Sequence, residues 1–268
     1  MKSVYLEEHN AFMRYFETPS RGQTLVYLPA ISFSAAASFF EVVTHPKLPS
    51  HRALLIDYLG AGASDHANLF SYSLRDHVAS VAAVLDNAGC SKVTVFGHSM
   101  GGTIGILLAL TRPDLVANLI VGEGNVTSGG GGLAKQISAF EEMEFVKSIF
   151  PKMVAENFES AKKGDVIGLR RSTVWKHTSP IGLYRNACAL VDIEDSLKTD
   201  FFNLPISRTF IYGEKSVPQC QDDVGPDTPL PDELRAHGVE TKIIPKAGHG
   251  LMFDNLDGFA EVLSLVAF

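Results

Sequence analysis

A serine lies in a glycine-rich turn between two apolar segments of different character. In VTVFGHSMGGTIGILLAL, which runs from Val93 to Leu110, Ser99 is at the centre of a G-x-S-x-G pattern. A β-branched apolar run precedes it and a helix-like run follows it, which predicts a sharp turn between a strand and a helix. Gly97 and Gly101 suit the strained backbone that such a turn requires. The pattern indicates a nucleophile; the alternative is a tight connection in which Ser99 only caps the helix.

A nucleophilic hydroxyl needs a base, because a neutral serine attacks a carbonyl poorly until its proton is accepted. Of the nine histidines, His249 follows the last predicted strand, between Gly248 and Gly250, and precedes the final helix. His98, beside the serine, is predicted to point to the opposite side of the strand end as a packing or hydrogen-bonding residue. We therefore predict His249 as the base.

Strands and helices alternate along the parts of the chain that must position these residues. The predicted strands, in order, are SVYLEEH and AFMRYFET as a hairpin, then QTLVYLPA, RALLIDY, KVTVFGH, LVANLIVGE, SRTFIYG and ETKIIPK. The inner segments are nearly continuous apolar runs, which is typical of strands covered on both faces. The pattern predicts an α/β fold with a mostly parallel sheet between two layers of helices.

The alternation stops after Glu123, where four glycines at 129–132 open a segment without a predicted strand until Ser207. Apolar residues from Ile137 to Phe150 recur at helical spacing, and Ser179 precedes Pro180 as a helix cap would. We predict a core of residues 1–124 and 199–268 and a helical cap of residues 125–198. The glycine run is either a hinge of the cap or a loop.

Charge and composition restrict the class of partner. The 268 residues carry a formal charge of −7, with 46% hydrophobic and 20% charged residues, as in ordinary globular proteins. Lysine and arginine are scattered singly or in pairs such as Arg170-Arg171, so no basic stripe for nucleic acid is expected. The three cysteines form no C-x-x-C pair, and neither a metal nor a cofactor is predicted. Because the N-terminus lacks the apolar core of a signal peptide, and no apolar run reaches membrane-spanning length, we expect a cytoplasmic protein.

Three motifs, and their order along the chain, resemble the α/β-hydrolase family, and the resemblance extends over essentially the whole chain. They are GHSMGG at 97–102, DYLGAGASD at 57–65 and AGHG at 247–250. The resemblance implies an eight-stranded, mostly parallel sheet, a triad in the order serine, acid, histidine, and oxyanion donors from two loops. It agrees with His249 as the base, and Asp57 is expected to bond loop amides. Halide-releasing and epoxide-opening members place aspartate where Ser99 stands, which disfavours those reactions.

The resemblance also indicates where a tetrahedral oxyanion would be bound. One backbone N–H should come from Met100, directly after the nucleophile, and another from the loop after the third strand. The family commonly has His-Gly in that loop, whereas this chain reads LPAIS, with Pro29 and Ala30. Proline cannot donate, so we expect the second donor at Ile31.

The acid is where this chain departs from the family pattern. The usual carboxylate lies three residues after the glycine that ends the seventh strand, and that position in YGEKSV is Ser216. Glu123 ends the sixth strand, closer to the nucleophile strand, and its longer side chain suits the reach to a histidine. Some members, among them zearalenone lactonase, are similar in taking a glutamate from this strand end. We predict Glu123, with Glu214, Asp222 and Asp223 as alternatives.

Serine, histidine and a carboxylate imply acyl transfer to water through an acyl-enzyme, and an ester or a lactone is the expected substrate. Two alternatives stay open: cleavage of a carbon–carbon bond by the same triad, and a non-catalytic ligand-binding protein. The expected ligand is a small molecule of apolar or aromatic character, with Trp175 as a predicted contact. Other large side chains suit either the pocket wall or packing of the cap: Phe33, Phe140, Met143, Phe145 and Tyr184.

Overall fold

Eight strands form one sheet in the computed structural model, which describes residues 1–20, 22–218 and 228–268. In chain order they are β1 (Lys2–Leu6), β2 (Ala11–Glu17), β3 (Thr24–Leu28), β4 (Arg52–Ile56), β5 (Val93–His98), β6 (Val116–Gly122), β7 (Ser207–Gly213) and β8 (Glu240–Ile244). Across the sheet their order is β1-β2-β4-β3-β5-β6-β7-β8. The pairings of β2 with β1 and β4 are antiparallel and the others are parallel. The prediction of an eight-stranded, mostly parallel sheet is confirmed.

Helices cover both faces of this sheet. Within the described residues they are α1 (Ala35–Val43), α2 (Leu74–Asn87), α3 (Met100–Thr111), α4 (Gly132–Ser138), α5 (Glu142–Glu144), α6 (Phe150–Lys162), α7 (Val166–Val174), α8 (Pro180–Val191), α9 (Leu197–Asn203), α10 (Pro231–Ala236), α11 (Leu251–Asp254) and α12 (Leu256–Ala267). No helix in these described ranges is long and apolar enough to cross a bilayer.

The central strands are apolar throughout because both of their faces are buried. Along β3, Leu25 and Tyr27 join the apolar cluster that α1 and α12 cover, whereas Val26 and Leu28 join the larger cluster with α2 and α3. This division follows from the alternation of side chains along a strand. The two clusters fix the sheet between its helical layers and hold the carboxyl ends of β3, β5 and β6 side by side.

The segment between β6 and β7 is helical, and we refer to residues 125–203 as the insertion. It contains α4 to α9, and the Ser179 side chain accepts a hydrogen bond from the Gly182 N–H at 3.1 Å, as predicted for a cap. Helix α9 crosses residue 198, where the sequence predicted the end of the cap, so the boundaries 124 and 198 stay a prediction.

One predicted helical run of the insertion is interrupted. The spacing from Ile137 to Phe150 predicted one helix, but α4 ends at Ser138, α5 begins at Glu142, and residues 145–149 form a π-helical turn. The wider turn brings residues five apart onto one side, so Phe145 and Phe150 are both buried with ring centroids 6.1 Å apart. Burial of these two rings therefore decides the helix geometry here.

The loop after β4 is a scaffold organised by a buried carboxylate. Asp57 accepts hydrogen bonds from the backbone N–H groups of Ala35 at 2.6 Å and Ala63 at 2.8 Å. Burial raises the pKa of the Asp57 carboxyl, although these hydrogen bonds oppose the change. The side chain joins the start of α1 to the loop, which agrees with the predicted role.

A buried histidine connects the insertion to the core. The Nε2–H of His77 on α2 donates to Oδ1 of Asn186 on α8 at 2.7 Å. Burial lowers the pKa of His77 to about 4, so the imidazole is neutral near pH 7. The hydrogen bond ties α8 to the body of the molecule.

Gly62 is expected to tolerate alanine much less well than Gly89, although both have a positive φ, of 59° and 65°. A Cβ at Gly62 would lie 2.2 Å from Oδ2 of Asp57, whereas nothing lies within 4 Å of one at Gly89. Both Gly→Ala variants lose about 1–2 kcal/mol to the left-handed backbone, and Gly62→Ala loses about 1–3 kcal/mol more through the clash. Denaturant unfolding measures the difference, and equal losses would contradict the scaffold role of Asp57.

The free energy of unfolding is expected to fall at acidic pH, partly because of His77. Because its folded-state pKa of about 4 is below the ordinary 6.5, its contribution is complete above pH 6.5 and is lost as the pH falls towards 4. In His77→Gln, which keeps a donor for Asn186, the free energy of unfolding should fall less steeply across this range. The difference in slope is at most about 1.4 kcal/mol per pH unit, and urea titrations at several pH values measure it. An unchanged slope would be evidence against a buried neutral His77.

Candidate active site

Ser99 is held in a strained turn at the carboxyl end of β5. Its backbone has φ 55° and ψ −122°, which a side chain other than glycine rarely adopts, and α3 begins at the next residue. The Ser99 N–H donates to the Gly122 carbonyl at 2.8 Å, and its carbonyl accepts from the Gly102 N–H at 2.8 Å. The turn therefore presents the hydroxyl at the end of the sheet. The Ser99 side chain accepts no hydrogen bond from a helical N–H, so the alternative in which Ser99 only caps the helix is wrong.

Two glycines make this turn possible because backbone approaches backbone around them. A Cβ at Gly97 would lie 2.1 Å from the Gly101 carbonyl oxygen, and a Cβ at Gly101 would lie 2.2 Å from the Leu28 carbonyl oxygen. Helix α3 thus begins directly against the ends of β3 and β5. The structure gives a physical reason for both outer glycines of the G-x-S-x-G pattern.

The loop between β8 and α11 carries His249. The Gly248 N–H donates to Oδ2 of Asp254 at 2.8 Å, and the Nε2–H of His98 donates to the His249 carbonyl at 2.7 Å. Burial, together with the nearby His249, lowers the pKa of His98 to about 3, so His98 stays a neutral donor. As predicted, His98 is a hydrogen-bonding residue beside the serine, and it fixes the backbone of the candidate base. The prediction that it points to the opposite side of the strand end is wrong, because its ring lies 5.0 Å from the His249 ring.

Glu123 extends from the end of β6 towards His249. Its Oε2 lies 3.4 Å from Nδ1 of His249, and its Oε1 accepts a hydrogen bond from the Gly213 N–H at 2.7 Å. The backbone has φ 52°, and the Glu123 N–H donates to the Ile211 carbonyl at 3.0 Å. The side chain is 7% exposed, against 60% for His249. A buried, oriented carboxylate therefore faces the nitrogen of the imidazole that a triad acid would contact.

The alternative acids differ in position. Glu214 accepts a hydrogen bond from the Lys246 N–H at 2.7 Å with its Oε2 and is exposed. Ser216, at the usual acid position, lies in the wall of the cavity described next. Asp222 and Asp223 lie outside the described residues. Among the described carboxylates, Glu123 is the one that contacts His249.

A cavity of about 480 Å³ lies over these residues, bounded by the sheet edge and the insertion. Ser99, His249 and Glu123 all line it. The other lining residues are mostly apolar or small: Ala30, Ile31, Phe33, His98, Asn125, Gly131, Gly132, Leu133, Ala134, Ile167, Arg171, Leu190, Ser216, Thr228, Gly250 and Phe253. Its size and its largely apolar wall suit a small organic ligand.

Two backbone N–H groups are predicted as oxyanion donors. One directly follows the serine in the chain, and the other belongs to a residue in the cavity wall. Met100 is the first residue of α3, and Ile31 lines the cavity in the loop after β3. The turn in that loop uses other groups, because the Phe33 N–H donates to the Ala30 carbonyl at 3.1 Å. The N-terminus of α3 also carries the positive end of the helix dipole. The N-terminus of α3 therefore favours negative charge next to Ser99, and the roles of the Met100 and Ile31 N–H groups stay predictions.

Trp175 is not where the sequence analysis expected it. It is 1% exposed and absent from the cavity wall, and its ring stacks on Phe150 with centroids 6.1 Å apart. The prediction of a substrate contact is corrected: Trp175 packs within the insertion, because a large ring gains more by full burial among apolar neighbours. Of the other large side chains considered, Phe33 lines the cavity, whereas Phe140, Met143, Phe145 and Tyr184 do not.

The sequence analysis missed Arg171. It treated the Arg170-Arg171 pair as scattered surface charge, but Arg171 lies in the cavity wall and Arg170 does not. Helical periodicity places adjacent residues in different directions, so neither the pair nor its charge could indicate which one faces inward. Within the residues that the structure describes, no group of three or more His, Cys, Asp or Glu side chains is arranged to hold a metal ion.

Comparison with known proteins adds an independent observation. Residues 25–174, more than half of the chain, match a family model described as alpha/beta hydrolase fold. A segment of 83 residues is 37% identical to the lipase LipV of Mycobacterium tuberculosis, covering 31% of this chain and 31% of that protein. A segment of 72 residues is 38% identical to epoxide hydrolase 4 of Mus musculus, covering 26% and 20%. The chain thus spans about a third or less of these two relatives.

The likeness to solved structures covers the whole fold. A carboxylesterase structure from the thaumarchaeon Nitrososphaera gargenis superimposes with a TM-score of 0.78 at 17% identity, covering 99% of this chain and 98% of that one. At this identity the match establishes the architecture, and it leaves the activity open.

Gly101→Ala is expected to disrupt the serine turn, since the added Cβ meets the Leu28 carbonyl, which belongs to the backbone of β3 and cannot rotate away. We expect a loss of about 3 kcal/mol in the free energy of unfolding. Gly105→Ala, one turn further along α3, is the matched control: its nearest contact is the flexible Leu119 side chain at 3.0 Å. Alanine has a higher helix propensity than glycine, by about 1 kcal/mol, and this gain should offset the cost of that contact. Denaturant unfolding of both variants tests this, and a Gly101→Ala protein as stable as Gly105→Ala would contradict the geometry.

Proposed function

The chain belongs to the α/β-hydrolase family, and from this premise we propose that it is a serine hydrolase that cleaves an ester or lactone of a small molecule. The observation that carries the proposal is the convergence of Ser99, His249 and Glu123 on one cavity, with Glu123 3.4 Å from His249. The name of the lipase relative and that of the carboxylesterase structure are consistent with it. Ser99 distinguishes the chain from epoxide-opening members, which resemble it but use aspartate at this position.

The first step is attack of the Ser99 hydroxyl on the substrate carbonyl. Nε2 of His249 accepts the proton, and Glu123 beside Nδ1 stabilises the imidazolium that forms. Glu123 holds its orientation through the hydrogen bond from Gly213, so little reorganisation accompanies the proton transfer. The Met100 and Ile31 N–H groups donate to the oxyanion of the tetrahedral intermediate.

The second step regenerates the serine. His249 donates its proton to the leaving oxygen, the tetrahedral intermediate collapses, and an acyl group stays on Ser99. Water then enters, His249 accepts one of its protons, and the water oxygen adds to the acyl carbon. The second tetrahedral intermediate collapses, the bond between the acyl carbon and the Ser99 oxygen breaks, and His249 returns the proton to that oxygen as the carboxylic acid leaves. Proton and charge thus pass between His249 and the reacting oxygens, while Glu123 stays ionised.

This proposal assigns the acid to β6. Glu123 reaches His249 from a strand adjacent to the nucleophile strand, whereas the usual position after β7 is occupied by Ser216. The Glu123 backbone is left-handed directly after the apolar strand, and the side chain is 7% exposed. A shielded carboxylate interacts with an imidazolium more strongly than a solvated one.

The assignment predicts opposite outcomes for two conservative changes. Glu123→Gln removes the charge that stabilises imidazolium, and we expect kcat for 4-nitrophenyl acetate to fall about 10³- to 10⁴-fold. Ser216→Ala removes a hydroxyl from the usual acid position and should change kcat less than about threefold, within the range of ordinary small substitutions. Steady-state kinetics with Ser99→Ala as the blank measures both. Wild-type activity in Glu123→Gln would remove Glu123 from the mechanism.

Fluorophosphonate labelling tests the nucleophile separately. Wild-type protein should be labelled at Ser99, located by peptide mass spectrometry, and should release a burst of 4-nitrophenol from the acetate ester. The folded Ser99→Ala protein should do neither. Folded wild-type protein that is never labelled would instead favour a ligand-binding protein with the same cavity.

A further inference from the structure

Helix α7 places one cationic side chain in the wall of the cavity. Ile167 and Arg171, one helical turn apart, both line it, so this face of α7 is directed at the site. Among the described lining residues Arg171 is the one lysine or arginine. A permanent positive charge therefore stands in the same cavity as Ser99, on the insertion rather than on the sheet.

This guanidinium lacks an anionic partner within the part of the chain that the structure describes. Its Nε is buried without a hydrogen-bond acceptor, and it forms no ion pair with a described carboxylate. The nearest acidic influence is Asp165, whose carboxylate instead accepts from the Ser160 hydroxyl at 2.6 Å and the Ile167 N–H at 3.0 Å. The face of Trp175, 5.5 Å from Cζ of Arg171, is the favourable contact that remains.

The neighbouring arginine provides a comparison on the same helix. Arg170 donates to the Ala37 carbonyl at 3.1 Å and lies 3.5 Å from Oε2 of Glu41, both on α1. The Nε of Arg170 also lacks an acceptor, but its terminal nitrogens have a carbonyl and a carboxylate as partners, whereas no described residue provides either for Arg171. Of the two arginines, the one without a described anionic partner is the one that lines the cavity.

Arg171 is half-buried, and a half-buried cation that has no anionic partner among the described residues is stabilised when an anion binds. Burial lowers the pKa of Arg171, which reflects the loss of water around the guanidinium, yet an arginine stays charged in proteins. Its planar fork of N–H donors matches the two oxygens of a carboxylate. Glu123 cannot supply that carboxylate, because its oxygens face Gly213 and His249.

We propose that Arg171 binds a carboxylate of the substrate, so that the preferred substrates are esters or lactones that bear a second, free carboxylate. The proposal rests on the proposed function, because it names the substrate class of the same Ser99 site. The scissile carbonyl lies at Ser99, on the sheet side, and the free carboxylate lies against α7. The apolar residues of the wall, such as Leu190 and Phe253, contact the carbon chain between them.

Matched substrates test the proposal. The 4-nitrophenyl monoesters of dicarboxylic acids from succinate to suberate are compared with the 4-nitrophenyl esters of the monocarboxylic acids of equal chain length. Arg171→Ala should lower kcat/KM for the best monoester about 10- to 100-fold, as expected for loss of a charge-assisted hydrogen bond. The neutral ester of equal length should change less than about threefold. Arg171→Lys, which keeps the charge but not the fork, should fall between.

A control and a binding measurement separate this inference from the proposed function. Arg75→Ala removes an exposed arginine that pairs with Glu194 outside the cavity and should alter neither substrate class. In Ser99→Ala, calorimetry with the free dicarboxylates should detect binding that the added Arg171→Ala change weakens about tenfold or more. This readout does not require turnover.

Two outcomes would overturn the role of Arg171. Equal losses of kcat/KM for the charged and neutral esters in Arg171→Ala would indicate that Arg171 only packs on Trp175. Wild-type protein that labels normally at Ser99 but shows no preference for any monoester, and whose Ser99→Ala form binds no dicarboxylate, would exclude a carboxylate site. Absence of Ser99 labelling with intact, Arg171-dependent dicarboxylate binding would overturn the proposed hydrolase and leave the anion site standing.

Discussion

Contact between backbones, without side chains in between, is the constraint on which this molecule depends. At Gly97 and Gly101 the start of α3 meets the ends of β3 and β5 so closely that a single methyl group would collide with a carbonyl oxygen. That contact fixes the left-handed backbone of Ser99 and puts the loop after β3 next to the N-terminus of α3. The apolar clusters on both faces of the sheet oppose the strain, because the strands cannot separate without exposing them.

The opposite wall of the site follows from a second local departure from regular backbone. β6 is followed by a left-handed residue, Glu123, whose side chain accepts a hydrogen bond from Gly213 at the end of the neighbouring strand β7 and faces His249. The His249 backbone is held in turn by two hydrogen bonds. The His98 side chain donates to the His249 carbonyl, and the Gly248 N–H donates to Asp254. The candidate residues are thus connected to three adjacent parallel strands, β5, β6 and β7, whose carboxyl ends share one edge.

The sequence predicted the sheet, and it predicted that Ser99 and His249 follow strands, because both features depend on local pattern. The backbone conformation at a position is indicated there by the residue type itself. This holds for the β-branched residues of the strands, the glycines around Ser99 and the glycines that flank His249. The chain pattern could not place side chains that depend on tertiary packing. Trp175 and Arg171 lie one helical turn apart on α7 and the turn after it, yet the structure buries the tryptophan and turns the arginine to the cavity. The π-helical turn at 145–149 likewise follows from the joint burial of Phe145 and Phe150, which no single position predicts.

The placement of the candidate acid on β6 changes what the turn after β7 is free to do. Residues 214–216 form a short helical turn in which Ser216 reaches the cavity and Glu214 is bonded to Lys246. In the proposed mechanism the acid is Glu123, so that mechanism requires no carboxylate at Ser216. Under that proposal, a position that carries the acid in related folds is here part of the cavity wall, where a change of side chain would alter the shape of the cavity without removing a proposed triad member.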